Sequence, residues 1–183
     1  MKSKTLLLLC LCILLGACSM PRVITLTDPL SPAEHNDLGV AYEQMGEFDL
    51  ALRQYEIAFT RDEQWDQPLI NHGNVHAGLE EWKEAEKSYR KALERNPENP
   101  EAMNNLAYVL IIQNKEKEAL RWSAGAVQLQ PDNPAFLNTR AMSLEKTGET
   151  EKAREAYLKA LNHASADNPL RKRIQARLDS LNN

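Results

Sequence analysis

Small and apolar residues fall into register along most of this chain. Gly39, Gly73, Ala107 and Ala141 are each 34 residues apart. The same step relates Ala51, Ala85, Ala119 and Ala153, and again Ala58, Ala92, Ala126 and Ala160. Tyr55, Tyr89, Ser123 and Tyr157 keep it with one departure. A fixed period of this length marks one supersecondary unit, copied and stacked. Within the unit the finer spacing is helical: Ala85, Tyr89 and Ala92 stand at i, i+4 and i+7, one face of an α-helix. Turn-forming residues split each unit in two, at Met45-Gly46-Glu47, Gly78 to Glu81, Asn114-Lys115 and Gly148-Glu149. Helix starts are equally legible. Ser31-Pro32-Ala33-Glu34 is a capping box with Pro at the first helical position, and Asn99-Pro100, Asn133-Pro134 and Asn168-Pro169 place an N-cap residue before a Pro. The pattern predicts four helix-turn-helix units at 32–65, 66–99, 100–133 and 134–167, followed by a single helix within 168–183.

Small residues recur where two helices must approach closely, and larger residues fill the adjoining holes. One antiparallel pair cannot bury its own apolar face, so neighbours stack. In the last helix Leu170, Ile174, Leu178 and Leu181 form one apolar stripe, while Arg171, Lys172, Arg173 and Arg177 cover the other faces. That division suits a terminal cap, apolar toward the last unit and charged toward water.

The spacing and residue types resemble the tetratricopeptide repeat, which carries a small residue at position 8, Ala at 20, an aromatic at 24 and Ala at 27. The resemblance implies an all-α, right-handed superhelix of four repeats with a C-terminal capping helix. It also implies a concave groove lined by positions 2, 5, 6, 9, 12 and 13 of each first helix. Here those positions bring Asn36 from repeat 1, then Ile70, Asn71 and Asn74 from repeat 2. Repeat 3 supplies Asn104, Asn105, Tyr108 and Ile111, and repeat 4 Asn138 and Met142. An amide offers both donor and acceptor, so a row of Asn can pair with an extended peptide backbone. Val40, Ile70, Tyr108, Ile111 and Met142 would add apolar pockets beside it. Family members that grip a C-terminal carboxylate use two Asn with flanking Lys or Arg. Asn74 and Asn105 match the amides, but Ile70, Ala135 and Thr139 hold the basic positions, so no such clamp is expected.

The amino terminus reads as an address. Lys2 and Lys4 precede an apolar run from Leu6 to Leu15 that meets Gly16-Ala17-Cys18, the layout of a secretory signal. Ten apolar residues are too few to span a bilayer, which needs about 20. Leu15 to Cys18 looks like a bacterial lipobox. The likeness implies that residues 1–17 are removed, that the Cys18 thiol takes a diacylglycerol and that the new amine is acylated. Ser19, where Asp would favour the inner membrane, points to the outer membrane. Two acyl signals already give stable anchoring, so a lipid anchor at the periplasmic face is expected. Residues 18–31, with Pro21 and Pro29 and no helical period, read as a flexible tether.

Composition removes other classes. An apolar fraction of 43% and a charged fraction of 26% exclude wholesale disorder. Residues 18–183 carry 20 basic and 26 acidic side chains, a net −6 that argues against nucleic acid as a partner. All three cysteines lie in the first 18 residues, leaving the body without a disulfide, a CxxC zinc site or a thiol nucleophile. His72 and His76 stand at i and i+4, a spacing that could present two metal ligands. Gly73, however, replaces the catalytic Glu of a zinc protease, and no third ligand is indicated. At repeat positions 7 and 11 they are expected as core histidines, with no metal or cofactor. His35 and His163 stand alone. No phosphate-cradling loop, nucleophile elbow or paired carboxylates are present, so no enzyme is expected. Charge runs from two basic and eight acidic residues in repeat 1 to four basic and one acidic in residues 168–183. That polarity would orient a partner or stack copies head to tail.

The expectation is an outer-membrane lipoprotein whose repeats form a scaffold for a protein partner or extended peptide. In layout it resembles the lipoproteins that help assemble type IV pilus secretins, and also the adaptor lipoproteins that dock cell-wall peptidases. A periplasmic holdase-like chaperone, using the groove for unfolded chains, is the second class.

Overall fold

The computed structural model describes residues 28–181, and within them the chain is nine helices with no strand. Repeat 1 comprises α1 (Pro32–Gln44) and α2 (Phe48–Arg61), and repeat 2 α3 (Gln67–Gly78) and α4 (Trp82–Arg95). Repeat 3 comprises α5 (Pro100–Ile112) and α6 (Glu116–Leu129), repeat 4 α7 (Pro134–Lys146) and α8 (Thr150–His163), and α9 (Leu170–Leu181) closes the array. Each first helix packs antiparallel on the second helix of its own repeat, and each second helix packs on the first helix that follows. The result is the stacked helix-pair array that the period predicts, and the all-α superhelix that the resemblance implies. Cys18, the segment before it and most of the tether lie outside the described residues.

Local chemistry accounts for the boundaries. The Ser31 hydroxyl accepts from the Glu34 amide at 3.2 Å, while the Glu34 carboxylate accepts from the Ser31 amide at 2.7 Å, a complete capping box. Asn99 Oδ1 accepts from the Ala102 amide at 3.0 Å, and Asn133 Oδ1 from the Ala135 amide at 3.0 Å. Asn168 Oδ1 accepts from the Leu170 amide at 2.9 Å to start α9. The turn inside each repeat is one structure made four times. Gly46, Glu80, Asn114 and Gly148 occupy the left-handed region with φ of 79°, 60°, 55° and 81°. The amide one residue later reaches back five residues, Glu47 to Tyr42, Glu81 to His76, Lys115 to Leu110 and Glu149 to Leu144, each at 2.9 Å. These bonds satisfy a carbonyl that the end of the first helix leaves open.

The alanine series lies in the seam between helices: Ala51, Ala85, Ala119 and Ala153 are all fully buried, as are Ala58, Ala92, Ala126 and Ala160. Tyr55 and Tyr89 fill the space left by Gly39 and Gly73. In repeat 3 the pair becomes Ala107 and Ser123, both buried, and the aromatic moves one residue earlier to Trp122. Leu170, Ile174 and Leu178 of α9 are buried against repeat 4, as a cap requires. At the other end, residues expected to hang free are pinned. Asp28 Oδ2 lies 2.9 Å from Nε2 of His35 and 3.1 Å from the Arg61 guanidinium, which also donates to the Leu30 carbonyl. His35, isolated in the sequence, is buried under this strap and meets Gln54 Oε1 through Nδ1 at 2.7 Å.

Candidate functional site

The first helices of successive repeats place their polar faces along the concave side, and α9 continues the series. A cavity of about 440 Å³ opens there. Its walls are Asn74 of α3, Asn104, Asn105 and Tyr108 of α5, Asn138 of α7, and Leu170 and Arg173 of α9. Tyr108 is 40% exposed. A smaller pocket of about 190 Å³ adjoins it, bounded by Tyr108, Asn138, Met142, Arg173 and Arg177. Five of the expected groove residues, Asn74, Asn104, Asn105, Tyr108 and Asn138, therefore meet in one cavity, and Met142 borders the next.

The remaining four do not line it. Ile70 is 0% exposed and Ile111 2% exposed, and both belong to the core shared by repeats 2 and 3. Ile70 at position 5 of repeat 2 and Ile111 at position 12 of repeat 3 turn into the seam with the neighbouring helix, where burial removes them from water. The amides Asn104 and Asn138, at position 5 of repeats 3 and 4, stay in the cavity wall. Asn36 is buried as well, with Oδ1 accepting from Asn71 Nδ2 at 2.9 Å, and Asn71 Oδ1 accepts from Gln67 Nε2 at 3.0 Å. These two amides are committed to the junction between repeats 1 and 2.

The expected row of free amides is thus partly spent within the protein. Asn74 Oδ1 accepts twice, from the Tyr89 hydroxyl at 2.8 Å and from Asn105 Nδ2 at 3.0 Å. Asn105 Oδ1 accepts from Asn104 Nδ2 at 3.1 Å. Burial raises the pKa of the Tyr89 phenol well above its ordinary range, with the charges of Glu101 and Glu43 adding to it. The phenol stays protonated and donating. Truncating Asn74 strands that buried hydroxyl, a loss of about 1–3 kcal/mol, so Asn74 holds the fold as well as facing the groove. What remains for a ligand is the Asn138 amide, whose Nδ2 meets only Met142 Sδ at 3.5 Å, and the Tyr108 phenol; Asn104 Oδ1 has no partner but is buried away from the groove surface.

Arg173 was not expected in the groove. Its guanidinium makes no ion pair among the described residues, whereas Arg177 lies 3.3 Å from Glu145. The signal was present in the sequence: Asn71, Asn105, Thr139 and Arg173 are each 34 apart, so α9 keeps the register of a first helix.

The two histidines on α3 are core and turn residues. His72 Nδ1 donates to Ser88 Oγ at 2.9 Å, because the Ser88 proton is already given to the Glu84 carbonyl. Burial lowers the His72 pKa to about 4, and His76 and Lys91 push the same way. His76 pairs with Glu81 at 2.5 Å. Among the described residues, no three His, Cys, Asp or Glu side chains converge on a metal position, and no helix is long and apolar enough to cross a membrane.

The sequence profile of the tetratricopeptide repeat matches residues 70–134 and 124–169. No curated protein sequence matches the chain. Among solved structures, MamA of Desulfovibrio magneticus RS-1 superposes with a TM-score of 0.72 at 20% identity, over 82% of this chain and 83% of that one. PilF of Pseudomonas aeruginosa gives 0.68 at 24% identity, over 76% and 64%. YrrB, described as a repeat protein of this kind with an unusual peptide-binding site, gives 0.65 at 23% identity, over 73% and 69%. At these identities the likeness is one of fold. With the profile covering more than half of the sequence and the 34-residue register carried through every helix pair, the chain belongs to the tetratricopeptide repeat family.

Proposed function

We propose that this protein is a membrane-anchored scaffold that holds an extended segment of a protein partner in its concave groove, in the assembly of an envelope complex such as a pilus or secretion apparatus. The observation that carries the reading is the cavity between Asn74, Asn104, Asn105, Tyr108 and Asn138. Its walls keep hydrogen-bonding capacity that the fold does not use, beside an exposed aromatic ring. Amides and a phenol suit main-chain recognition, and Tyr is among the residues that dominate binding energies at interfaces. The fold of PilF and of the peptide-binding YrrB is consistent with such a use.

The anchor belongs to the same reading and rests on Leu15 to Cys18. Saturable capture of one partner from solubilised outer membranes supports the scaffold. Indiscriminate binding of unfolded chains would replace it with a holdase. The anchor is tested separately by Cys18→Ala, which should leave an unprocessed precursor without acyl chains. Mass spectrometry that finds a mature amino terminus elsewhere, and no lipid, would remove it.

A further inference from the structure

The first three repeats carry apolar side chains that the core does not use. Positions 14 and 17 of each repeat fall at the turn between its two helices. There Met45 is 72% exposed, and Phe48 and Leu79 are 39% exposed. In repeat 3, Ile112 stands one place earlier and is 40% exposed. Repeat 4 has Thr147 and Thr150 at the same places, so the apolar row stops with repeat 3. The period sets these side chains along one edge of the solenoid. That edge shares no lining residue with the concave cavity.

Where the turns of repeats 2 and 3 meet, the edge opens into a cavity of about 500 Å³. Trp82 and Gln113 line it with Glu80, Glu81, Glu84 and Lys83. Gln113 Nε2 donates to the Trp82 carbonyl at 3.2 Å and ties the two turns together. Acid outweighs base on this rim. Glu80 makes no ion pair among the described residues and stands at φ 60°, where repeats 1 and 4 use Gly and repeat 3 uses Asn. A left-handed backbone costs roughly 1–2 kcal/mol for a residue with a side chain. The carboxylate is kept at the mouth of the cavity against that cost.

Exposed apolar rows rimmed by polar residues mark interaction surfaces. We propose that the turn edge of repeats 1–3 is a second docking surface, and that its occupant is a protein segment presenting apolar side chains flanked by Lys or Arg. Charge complementarity selects this occupant. An anionic lipid surface is repelled by Glu47 and Glu80, neither of which makes an ion pair among the described residues, while Glu81 and Glu84 already face His76 and Lys87. A second copy of this chain offers its basic end, α9, but there Arg171 is bound to the Leu161 and Ala164 carbonyls and Arg177 to Glu145. Leu170, Ile174 and Leu178 of the α9 stripe are buried and Leu181 is partly buried against repeat 4, so the remaining cations stand beside little exposed apolar surface. The edge stands independently of the groove, and the two surfaces together let one short solenoid hold two partners side by side.

The test uses the whole chain and a fluorescent peptide of about twelve residues alternating Leu and Lys, with a Leu/Glu peptide as its control. Binding is read by anisotropy and by the indole N–H resonances of Trp65, Trp82 and Trp122. The Lys peptide should bind saturably, weaken with salt and move only the Trp82 resonance. Leu79→Ser and Glu80→Gly should each weaken it by roughly tenfold, while Tyr108→Ala leaves it unchanged. Glu80→Gly removes the charge while relieving the backbone, so loss of folding cannot explain its effect. Equal binding of the two peptides, unchanged affinity in both edge variants, or loss in Tyr108→Ala would each overturn the proposal. So would anionic vesicles that bind as tightly as the Lys peptide, or sedimentation showing a dimer that both edge variants abolish.

Discussion

A methyl group placed on Gly73 would lie 2.5 Å from Cε1 of Tyr89, closer than carbon atoms can approach. The ring cannot retreat, because Tyr89 is buried and its hydroxyl is held by Asn74 at 2.8 Å. The same contact recurs between Gly39 and Tyr55, also at 2.5 Å. The glycine of each pair is there for the aromatic, not for backbone freedom.

Gly73→Ala therefore pits two effects against each other. Alanine is the better helix former by about 1 kcal/mol, but overpacking a close helix contact costs about 1–3 kcal/mol. The overpacking should win, lowering the melting temperature by about 2–4 °C for each kcal/mol of net loss. Gly78→Ala is the control, since nothing lies within 4 Å of a Cβ there. It should be neutral or stabilise by up to about 1 kcal/mol. Equal effects at the two sites, read from thermal unfolding, would contradict the packing argument.

Glu80→Gly should raise stability. The left-handed φ of 60° suits Gly, and relief of about 1–2 kcal/mol exceeds the roughly 0.5–1 kcal/mol that Gly loses through its freer unfolded state. A urea midpoint that rises with an unchanged slope is the expected result. A midpoint that falls would mean that the carboxylate makes a stabilising contact in the folded state.

Acid should weaken the fold partly through His72. Its pKa falls to about 4 in the folded protein because burial disfavours the imidazolium, with His76 and Lys91 adding to the effect. The unfolded chain takes up the proton near pH 6.5. This contribution is complete above about pH 6.5 and lost as the pH falls toward 4. It is on the order of 3 kcal/mol at most. His72→Gln, which keeps a donor for Ser88, should lose less stability between pH 7 and pH 4.5 than the parent. Identical losses in urea titrations at the two pH values would dismiss the role of His72.

The fold was legible because the 34-residue period is carried by residues whose size is fixed by packing. Ala85 and Ala119 are buried completely, and every predicted Asn-Pro start is capped as its sequence suggests. The groove was legible only in part. Register puts Asn74 and Asn105 on one face, but not their mutual hydrogen bond, which joins side chains 31 residues apart. Nor does it reveal that Ile70 and Ile111 are drawn into the seam, since a helical position specifies a face to within one side-chain width. Arg173 was missed for the opposite reason. The cap was read as charged toward water, although its register continues the groove.

The central claim is that a partner lies in the concave groove, and site-directed photo-crosslinking tests it most directly. A benzophenone side chain is placed in turn at Tyr108, Lys91 and Lys159, and cells are irradiated before they are lysed and solubilised. Tyr108 is exposed inside the groove, and the two lysines are exposed on second helices outside it. One saturable adduct from Tyr108, lost when Asn138→Ala is added and absent from Lys91 and Lys159, is the predicted result. Adducts from Lys91 or Lys159 with none from Tyr108 would place the partner on the outer face and contradict the account.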